Sequence, residues 1–290
     1  MTEPNSQFWR AEYPYASHFH ELGGQRMHYL DEGEGEPVVC VHGNPTWSFF
    51  YRGLVAGLQD SHRCLVPDHV GCGLSDKPQD YPYCLRQHVD NLEHWLEALK
   101  PGPFNLVVHD WGGAIGLGLA GRRPEWIRRI VVLNTAAFPF ASIPRRIAVC
   151  RTPVIGEWML RGLNAFVRAA TFMTTEKSLS ASAKAGFTHP YDSWGNRIAI
   201  ARFVQDIPMQ STHPSYATLV QVRDGLQFLR DKRVEIHWGM KDWCFHEGIL
   251  NEWPGHLPQA AVHRYANAGH YILEDVGEEV IPAIRRFLAS

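Results

Sequence analysis

One segment joins an apolar run to a reactive side chain and then to small residues. Leu106–Val108 is followed by His109 and Asp110, and Gly112 and Gly113 come soon after. A tight turn from a strand into a helix pushes one side chain out at the sheet edge, and small residues let the helix pack closely behind it. A carboxylate in that position can attack an sp³ carbon without a base and form an alkyl ester. We therefore predict that Asp110 is a nucleophile, with helix capping as the alternative.

A second segment supplies hydrogen-bond donors. Residues 42–47 directly follow the apolar run Val38–Val41, where a loop facing the nucleophile offers a backbone N–H to a developing anion. Asn44 adds a side-chain amide and Trp111 an indole N–H. Two neutral donors suit a departing anion that is large and weakly hydrated. A turn residue before a proline and a core aromatic are the alternatives.

An acid and a base follow in the second half of the chain. Asp242 comes after a predicted strand at Val234–Trp238, and His270 comes after another predicted strand at Ala261–Tyr265. We predict that His270 takes a proton from water, while Asp242 holds its tautomer and stabilises the imidazolium. The other position for an acid, after a preceding strand, holds Asn134 and therefore favours Asp242.

Short apolar runs that alternate with helical patterns must position these side chains. Runs that are apolar on both faces are typical of a parallel sheet covered by helices on each side. A helix is predicted over Asp90–Leu99, and a hairpin over His18–Leu22 and Gln25–Asp31 with its turn at Gly23-Gly24. The runs are Val38–Val41, Cys64–Val66, Leu106–Val108 and Ile130–Leu133. The alternation predicts an α/β fold with right-handed crossovers.

The pattern changes after residue 137. Residues 141–213 hold nine Lys or Arg against four Asp or Glu, show no strand pattern, and have helical spacing over Trp158–Val167. We predict a main domain of residues 1–137 and 214–290 and a helical cap of residues 138–213. In the second part of the main domain, helices are predicted near Leu219–Arg230 and Glu278–Leu288.

Composition excludes several classes of protein. The chain has 290 residues, 45% of them hydrophobic, and a formal net charge of −2, which argues against general disorder and nucleic-acid binding. No apolar run is long enough for a membrane span, and residues 1–10 show no signal-peptide pattern. The six cysteines lack CxxC spacing, which predicts a reduced, cytoplasmic protein. The sixteen histidines show no HExxH and no tight cluster with cysteine, so we expect neither a metal nor a cofactor.

Four motifs resemble those of the haloalkane dehalogenases. They lie at residues 42–48, 67–78, 109–113 and 269–271, so the resemblance covers nearly the whole chain. It implies an α/β-hydrolase fold with a mostly parallel eight-stranded sheet, flanking helices and an inserted helical cap. It also implies that Asp110 displaces a halide ion held by Asn44 and Trp111. This pairing resembles the third subfamily, whose near relatives include the β-lactone decarboxylases of bacterial long-chain olefin synthesis.

The leading hypothesis is a haloalkane dehalogenase-like hydrolase that releases alcohol and halide through an aspartyl ester. A β-lactone decarboxylase is the alternative, and the motifs do not separate the two. Soluble epoxide hydrolases resemble the chain less, because they have an aromatic where Asn44 stands and two cap tyrosines where this cap has only Tyr191. A non-catalytic sensor or scaffold is the competing class. The expected partners are a small hydrophobic substrate, a halide ion and further copies of the chain in a homo-oligomer.

Overall fold

The computed structural model describes residues 8–152 and 154–290. Eight strands form one sheet in the order β1-β2-β4-β3-β5-β6-β7-β8. The pairs β1–β2 and β2–β4 are antiparallel, and all other neighbours are parallel. The mostly parallel sheet predicted from the sequence is therefore confirmed. The strands are β1 (His18–Leu22), β2 (Gln25–Glu32), β3 (Glu36–Val41), β4 (His62–Pro67), β5 (Phe104–His109), β6 (Ile127–Leu133), β7 (Arg233–Gly239) and β8 (Ala261–Tyr265).

The first hairpin has the turn predicted from its two glycines. Gly23 and Gly24 both have positive φ, at 57° and 88°, and Leu22 pairs with Gln25 across the turn. A two-residue turn of this kind requires positive φ at both central positions, which glycine adopts without a steric penalty. The turn therefore fixes the register of β1 on β2.

Helices cover both faces of the sheet. In β3, Val39 and Val41 pack into the core on one side, whereas Val38 and Cys40 pack into the core on the other. This explains why the central strands read as continuous apolar runs. The helices are α1 (Arg52–Leu58), α2 (Leu85–Leu99), α3 (Trp111–Arg122), α4 (Arg145–Cys150), α5 (Ile155–Glu157), α6 (Ala165–Met173), α7 (Ala181–Thr188), α8 (Ile198–Gln205), α9 (Tyr216–Gly225), α10 (Glu247–Leu250), α11 (Trp253–His256) and α12 (Ile272–Leu288). Side chains of α2, α3 and α9 pack on one face, and those of α1 and α12 pack on the other.

The segment between β6 and α9 is helical, but the pattern predicted over Trp158–Val167 is interrupted. A π-helical turn covers Trp158–Gly162, and α6 starts only at Ala165. Asn164 lies between them in the left-handed region, at φ 53°, and its side-chain amide donates to the carbonyl of Tyr191. This hydrogen bond to a residue far along the chain holds Asn164 in the left-handed conformation, which interrupts the helix between the two parts.

Two helices begin earlier than the sequence predicts. Helix α2 starts at Leu85 rather than Asp90, and α12 starts at Ile272 rather than Glu278. The backbone N–H of Leu85 donates to Asp206, a tertiary contact that sequence spacing does not reveal. Helix α12 contains a kink at Val276, whose φ of −135° is not helical, which explains why only the part after the kink has a clear pattern.

The cysteines and the helix lengths concern the expectations of unpaired thiols and of no membrane span. All six cysteines lie within the described residues and are free thiols. Among the helices of the described residues, none has the length and apolar character needed to cross a bilayer. The reduced state of the protein stays a prediction from the cysteine spacing.

Candidate active site

Asp110 lies at the tight turn between β5 and α3. Its backbone has φ 52° and ψ −128°, an unfavourable conformation for a residue with a Cβ. Gly112 permits this turn, because a Cβ there would overlap the backbone carbonyl of Val41. The carboxylate makes no capping hydrogen bond to α3, so the capping alternative does not describe what the side chain does. This backbone conformation instead places the carboxylate at the wall of an apolar pocket.

The Asp110 carboxylate is buried and held from two sides. Its Oδ1 accepts a hydrogen bond of 2.6 Å from the backbone N–H of Asn44, and its Oδ2 lies 3.6 Å from Nε2 of His270. Burial raises the pKa of the Asp110 carboxyl above its ordinary value, although the charge of His270 and the N–H of Asn44 oppose the shift. The loop after β3 therefore lies beside the Asp110 carboxylate.

His270 bridges the two carboxylates. Its Nδ1 lies 2.7 Å from Oδ2 of Asp242, while Nε2 faces Asp110. Burial lowers the pKa of His270, but the charge and hydrogen bond of Asp242, helped by the charge of Asp110, outweigh burial and raise that pKa overall. The ring also stacks on Phe245 at 5.5 Å. This arrangement can hold an imidazolium between two carboxylates or take a proton from a water molecule.

Asp242 is held by the turn after β7. Its Oδ1 accepts from the backbone N–H groups of Cys244 and Phe245, at 2.7 and 3.0 Å. Its Oδ2 accepts from the amide of Asn134 at 2.9 Å. Asn134 also bonds to the N–H and the carbonyl of Gly239, so it ties the end of β6 to the end of β7. In the sequence Asn134 stands out only as the lack of an acid, and its positioning contacts leave no local signal there.

Asn44 and Trp111 both line the pocket beside Asp110. The Asn44 amide nitrogen is 3.4 Å from the carbonyl of Ile200, and its Oδ1 is buried without a hydrogen-bond partner among the described residues. An amide nitrogen carries two N–H groups, so this long contact leaves a donor for a ligand. The Trp111 ring packs against Phe203 at 5.3 Å. The structure therefore brings together all five side chains that the sequence analysis selected.

The pocket is largely apolar. Its cavity volume is about 390 Å³, within the usual range for a site that takes a small molecule. Asn44, Asp110, Trp111 and His270 are its polar contributors from the sheet edge. Apolar side chains between β6 and α9 cover these groups, among them Phe138, Ile147, Met159, Phe166, Met173 and Val204. A few convergent polar groups in an apolar cavity can orient a hydrophobic substrate over one carboxylate.

Comparisons with known proteins show relatives that are similar to this chain over most of its length. A cis-3-alkyl-4-alkyloxetan-2-one decarboxylase of Shewanella oneidensis is 44% identical over 284 residues, with 96% of this chain and 89% of that protein covered. Haloalkane dehalogenase 2 of Mycobacterium tuberculosis is 31% identical over 277 residues, with 94% of each covered. The structure of haloalkane dehalogenase DbeA from Bradyrhizobium elkani superposes with a TM-score of 0.86 at 24% identity, covering 94% of this chain and 97% of that one, and this likeness shows the fold.

A model of the alpha/beta hydrolase fold matches residues 36–275, which is most of the chain. The match includes β3 to β8 and the segment inserted between β6 and β7. Together with the relatives, it confirms the resemblance inferred from the four motifs. The chain belongs to the α/β-hydrolase fold family, where its relatives include haloalkane dehalogenases and cis-3-alkyl-4-alkyloxetan-2-one decarboxylases.

Proposed function

We propose that the chain is an enzyme in which Asp110 attacks an sp³ carbon and forms an alkyl ester. One observation carries this proposal: the Asp110 carboxylate lies in the pocket at a strained turn, with Nε2 of His270 at 3.6 Å. A carboxylate is already a nucleophile when ionised, so this step needs no general base. The same contacts argue against the sensor or scaffold hypothesis, which requires no such arrangement.

The substrate that we propose is a β-lactone with alkyl groups at ring positions 3 and 4, which loses CO₂ to give an olefin. Two relatives named for that activity are 44% and 43% identical, whereas the dehalogenase relative is 31% identical. This preference reverses the order of the two hypotheses in the sequence analysis. The apolar pocket supports it, because alkyl substituents gain about 0.8 kcal/mol for each buried CH₂.

The chemistry proceeds in two steps that balance without water. Asp110 attacks the sp³ ring carbon C4, and the bond from C4 to the ring oxygen breaks to free a carboxylate on C3. The bond between this carboxylate and C3 then breaks and releases CO₂. Its electron pair forms the new C=C bond, and the ester bond to Asp110 breaks to restore the aspartate. Inversion followed by anti elimination converts a cis lactone into a cis olefin.

The other site residues have matching roles in this scheme. Asn44 and Trp111 donate hydrogen bonds to the carboxylate that leaves the ring, as oxyanion donors do. His270, whose pKa is raised because Asp242 outweighs the effect of burial, supplies a positive charge beside Asp110 when the aspartate leaves again. Asp242 keeps that imidazolium oriented.

Dehalogenation is the second candidate, and a specific observation favours it. Asn44 and Trp111 lie in the pocket beside Asp110, the arrangement expected for two halide donors. In that reaction a halide leaves, and water then attacks the carbonyl of the ester while His270 accepts its proton. The two candidates therefore share the first bond formed and differ in whether water enters.

A direct comparison of the two reactions tests the proposal. Olefin and CO₂ from a cis-3,4-dialkyl-β-lactone are measured beside halide release from bromoalkanes of similar length. We expect olefin formation, with freshly prepared Asp110→Asn inactive, and losses of roughly 10²–10³-fold in Asn44→Ala and Trp111→Phe. Halide release without olefin would replace the substrate by the second candidate. Activity of Asp110→Asn within tenfold of the unaltered enzyme would refute the nucleophile.

Labelled water distinguishes the two routes in the same experiment. Hydrolysis of an alkyl ester in H₂¹⁸O places ¹⁸O in the Asp110 carboxylate, because water attacks the ester carbonyl. The decarboxylation scheme restores the aspartate without water, so its peptide stays unlabelled over many turnovers. Label in the Asp110 peptide during olefin formation would contradict the scheme.

Epoxide opening has less support than decarboxylation or dehalogenation. Tyr191 is buried, its hydroxyl contacts the carbonyl of Thr46, and it is not among the residues that line the pocket.

We propose that residues 138–213 act as the cap, since their side chains cover the pocket. A cytoplasmic location, a bound halide and self-association stay predictions from the sequence.

A further inference from the structure

Three side chains of ligand type meet on the last two strands, away from the pocket. Glu235 and His237 lie two residues apart on β7 and therefore share one face of the sheet. His263 on β8 is the direct partner of His237 in the parallel register. The sequence predicts no metal because it shows no ligand spacing, and His263 joins the group only through strand pairing.

The donor atoms converge on a small volume. His237 Nε2 lies 3.1 Å from one oxygen of Glu235, and His263 Nε2 lies 3.5 Å from the other. One donor atom from each residue lies within 4.8 Å of the other two. Ligands bound to one ion at about 2.0–2.1 Å are separated by roughly 3.3 Å in a tetrahedral site. The His237 and His263 rings stack at 4.7 Å with 17° between their planes, so the partly exposed His263 ring must rotate to turn its Nε2 toward the same ion.

We propose that Glu235, His237 and His263 bind one Zn²⁺ ion. Two imidazoles and one carboxylate form a donor set that suits zinc, and three protein ligands leave the fourth position for water. Harder ions such as Mg²⁺ prefer an all-oxygen shell, which this group does not offer.

Tyr265 orients the central ligand. Its hydroxyl lies 2.9 Å from Nδ1 of His237. With Nε2 bound to the ion, the proton of His237 resides on Nδ1 and is donated to the oxygen of Tyr265. A histidine ligand that donates its other N–H in this way is held in the correct tautomer and ring orientation. Tyr265 is therefore a positioning residue for the site.

The group is open to solvent on one side. The His237 side chain is fully buried, whereas the Glu235 and His263 side chains are 19% and 43% exposed. Strand β8 lies at the edge of the sheet, so an ion reaches the site without rearrangement of the core. The ion would join β7 to β8, the strands that lead to Asp242 and His270.

Zinc titration of the purified chain tests the proposal. We expect one Zn²⁺ per chain by calorimetry and a higher midpoint of thermal unfolding when zinc is added. Glu235→Gln and His263→Gln alter partly exposed side chains, so both are expected to fold and to weaken zinc binding by at least about tenfold. Tyr265→Phe is expected to weaken it by about tenfold through loss of orientation.

His94→Gln is the matched control. His94 on α2 and His20 on β1 form another histidine contact, at 3.1 Å, and no third ligand lies near it among the described residues. This variant is expected to keep the zinc affinity of the unaltered chain. Co²⁺ bound at the proposed site is expected to show tetrahedral visible bands without thiolate charge transfer.

Three outcomes would overturn the proposal. The first is the absence of stoichiometric zinc, which would leave the group as an ion-pair network. The second is undiminished binding in both Glu235→Gln and His263→Gln. The third is a cobalt spectrum dominated by thiolate charge transfer, which would assign the ion to cysteines.

Discussion

Asp110 combines burial of a carboxylate with a backbone conformation that costs about 1–3 kcal/mol. Neither feature stabilises the fold, since burial raises the pKa of the carboxyl and the side chain caps no helix. Both features place a reactive oxygen beside His270 in the pocket. Backbone strain at a residue that lines a pocket is typical of a functional site. The same turn from strand to helix is visible in the sequence, which is why Asp110 could be predicted there.

The raised pKa of His270 gives a prediction about stability. Burial lowers the pKa, but Asp242 raises it by more, so it lies above the ordinary value of 6.5. A histidine of this kind stabilises the fold fully below its unfolded pKa, and the stabilisation disappears as pH rises through the folded pKa. We expect the difference in free energy of unfolding between the unaltered chain and His270→Gln to be largest below pH 6.5. Urea unfolding across pH measures it, and a difference that grows with pH would contradict the prediction.

At the scale of elements, the ends of β6 and β7 position the acid. Asn134 at the end of β6 donates to Asp242 after β7 at 2.9 Å, and the same carboxylate oxygen contacts His270. The sequence shows that β6 ends without an acid, but only the parallel pairing of β6 and β7 reveals why an amide is useful there. An amide can donate to a carboxylate, whereas a second acid would repel it.

The contact between Asn134 and Asp242 predicts what happens when the carboxylate is moved from the end of β7 to the end of β6. Asp242→Asn is expected to lower turnover by about 10⁴-fold, because an amide does not stabilise the imidazolium. Adding Asn134→Asp restores a carboxylate within the same hydrogen-bond network and is expected to recover roughly tenfold or more of that loss. Steady-state rates measure both variants. A double variant as slow as Asp242→Asn would show that the β6 position cannot serve His270.

Helices and strands could be predicted where they follow from a local apolar pattern. Their boundaries could not be predicted where contacts between residues distant in sequence set them. The runs around Val38–Val41 and Leu106–Val108 are strands because both of their faces are covered. The start of α2 depends on Asp206, which is far away in sequence, and the break before α6 depends on the contact between Asn164 and Tyr191. Such contacts leave no local pattern in the chain.

On the scale of the whole molecule, the inserted helices decide the shape of the pocket. Phe138, Ile147, Met159 and Phe166 contribute apolar walls over a polar sheet edge. The candidate site residues come from motifs that could be read in sequence, whereas the pocket depends on how these helices pack together. The motifs therefore predict a carboxylate nucleophile, but they predict neither the class of substrate nor the length of its chains.

The apolar walls predict a dependence on substrate length. Each additional buried CH₂ is expected to raise kcat/KM by about fourfold, from about 0.8 kcal/mol per group, until the pocket is full. Met159→Trp adds bulk to the wall and is expected to shift the preferred chains to shorter lengths. Val154→Trp alters a residue that is 71% exposed and is the matched control. Equal rates across a homologous series would contradict the prediction.

The outer surface of the inserted segment predicts self-association. Ile155, Trp158 and Leu163 are 63%, 62% and 63% exposed, and residues 141–213 carry nine Lys or Arg against four Asp or Glu. The rest of the chain is acidic, so we expect this surface to contact the main domain of another copy. Light scattering is expected to show oligomers that dissociate as the screening length falls to about 3 Å at 1 M salt. A monomer at both low and high salt would contradict this expectation.

The central claim is that Asp110 forms an ester with its substrate, and mass spectrometry of a trapped intermediate tests it most directly. His270→Phe lacks both the base for water and the charge that favours release of Asp110, so the ester is expected to accumulate. The variant is mixed with a cis-3,4-dialkyl-β-lactone or a bromoalkane, quenched rapidly and digested. The peptide containing Asp110 is expected to gain the mass of the lactone or of the alkyl group, and the double variant with Asp110→Asn is expected to gain neither. No adduct from either compound, or an adduct that persists without Asp110, would contradict it.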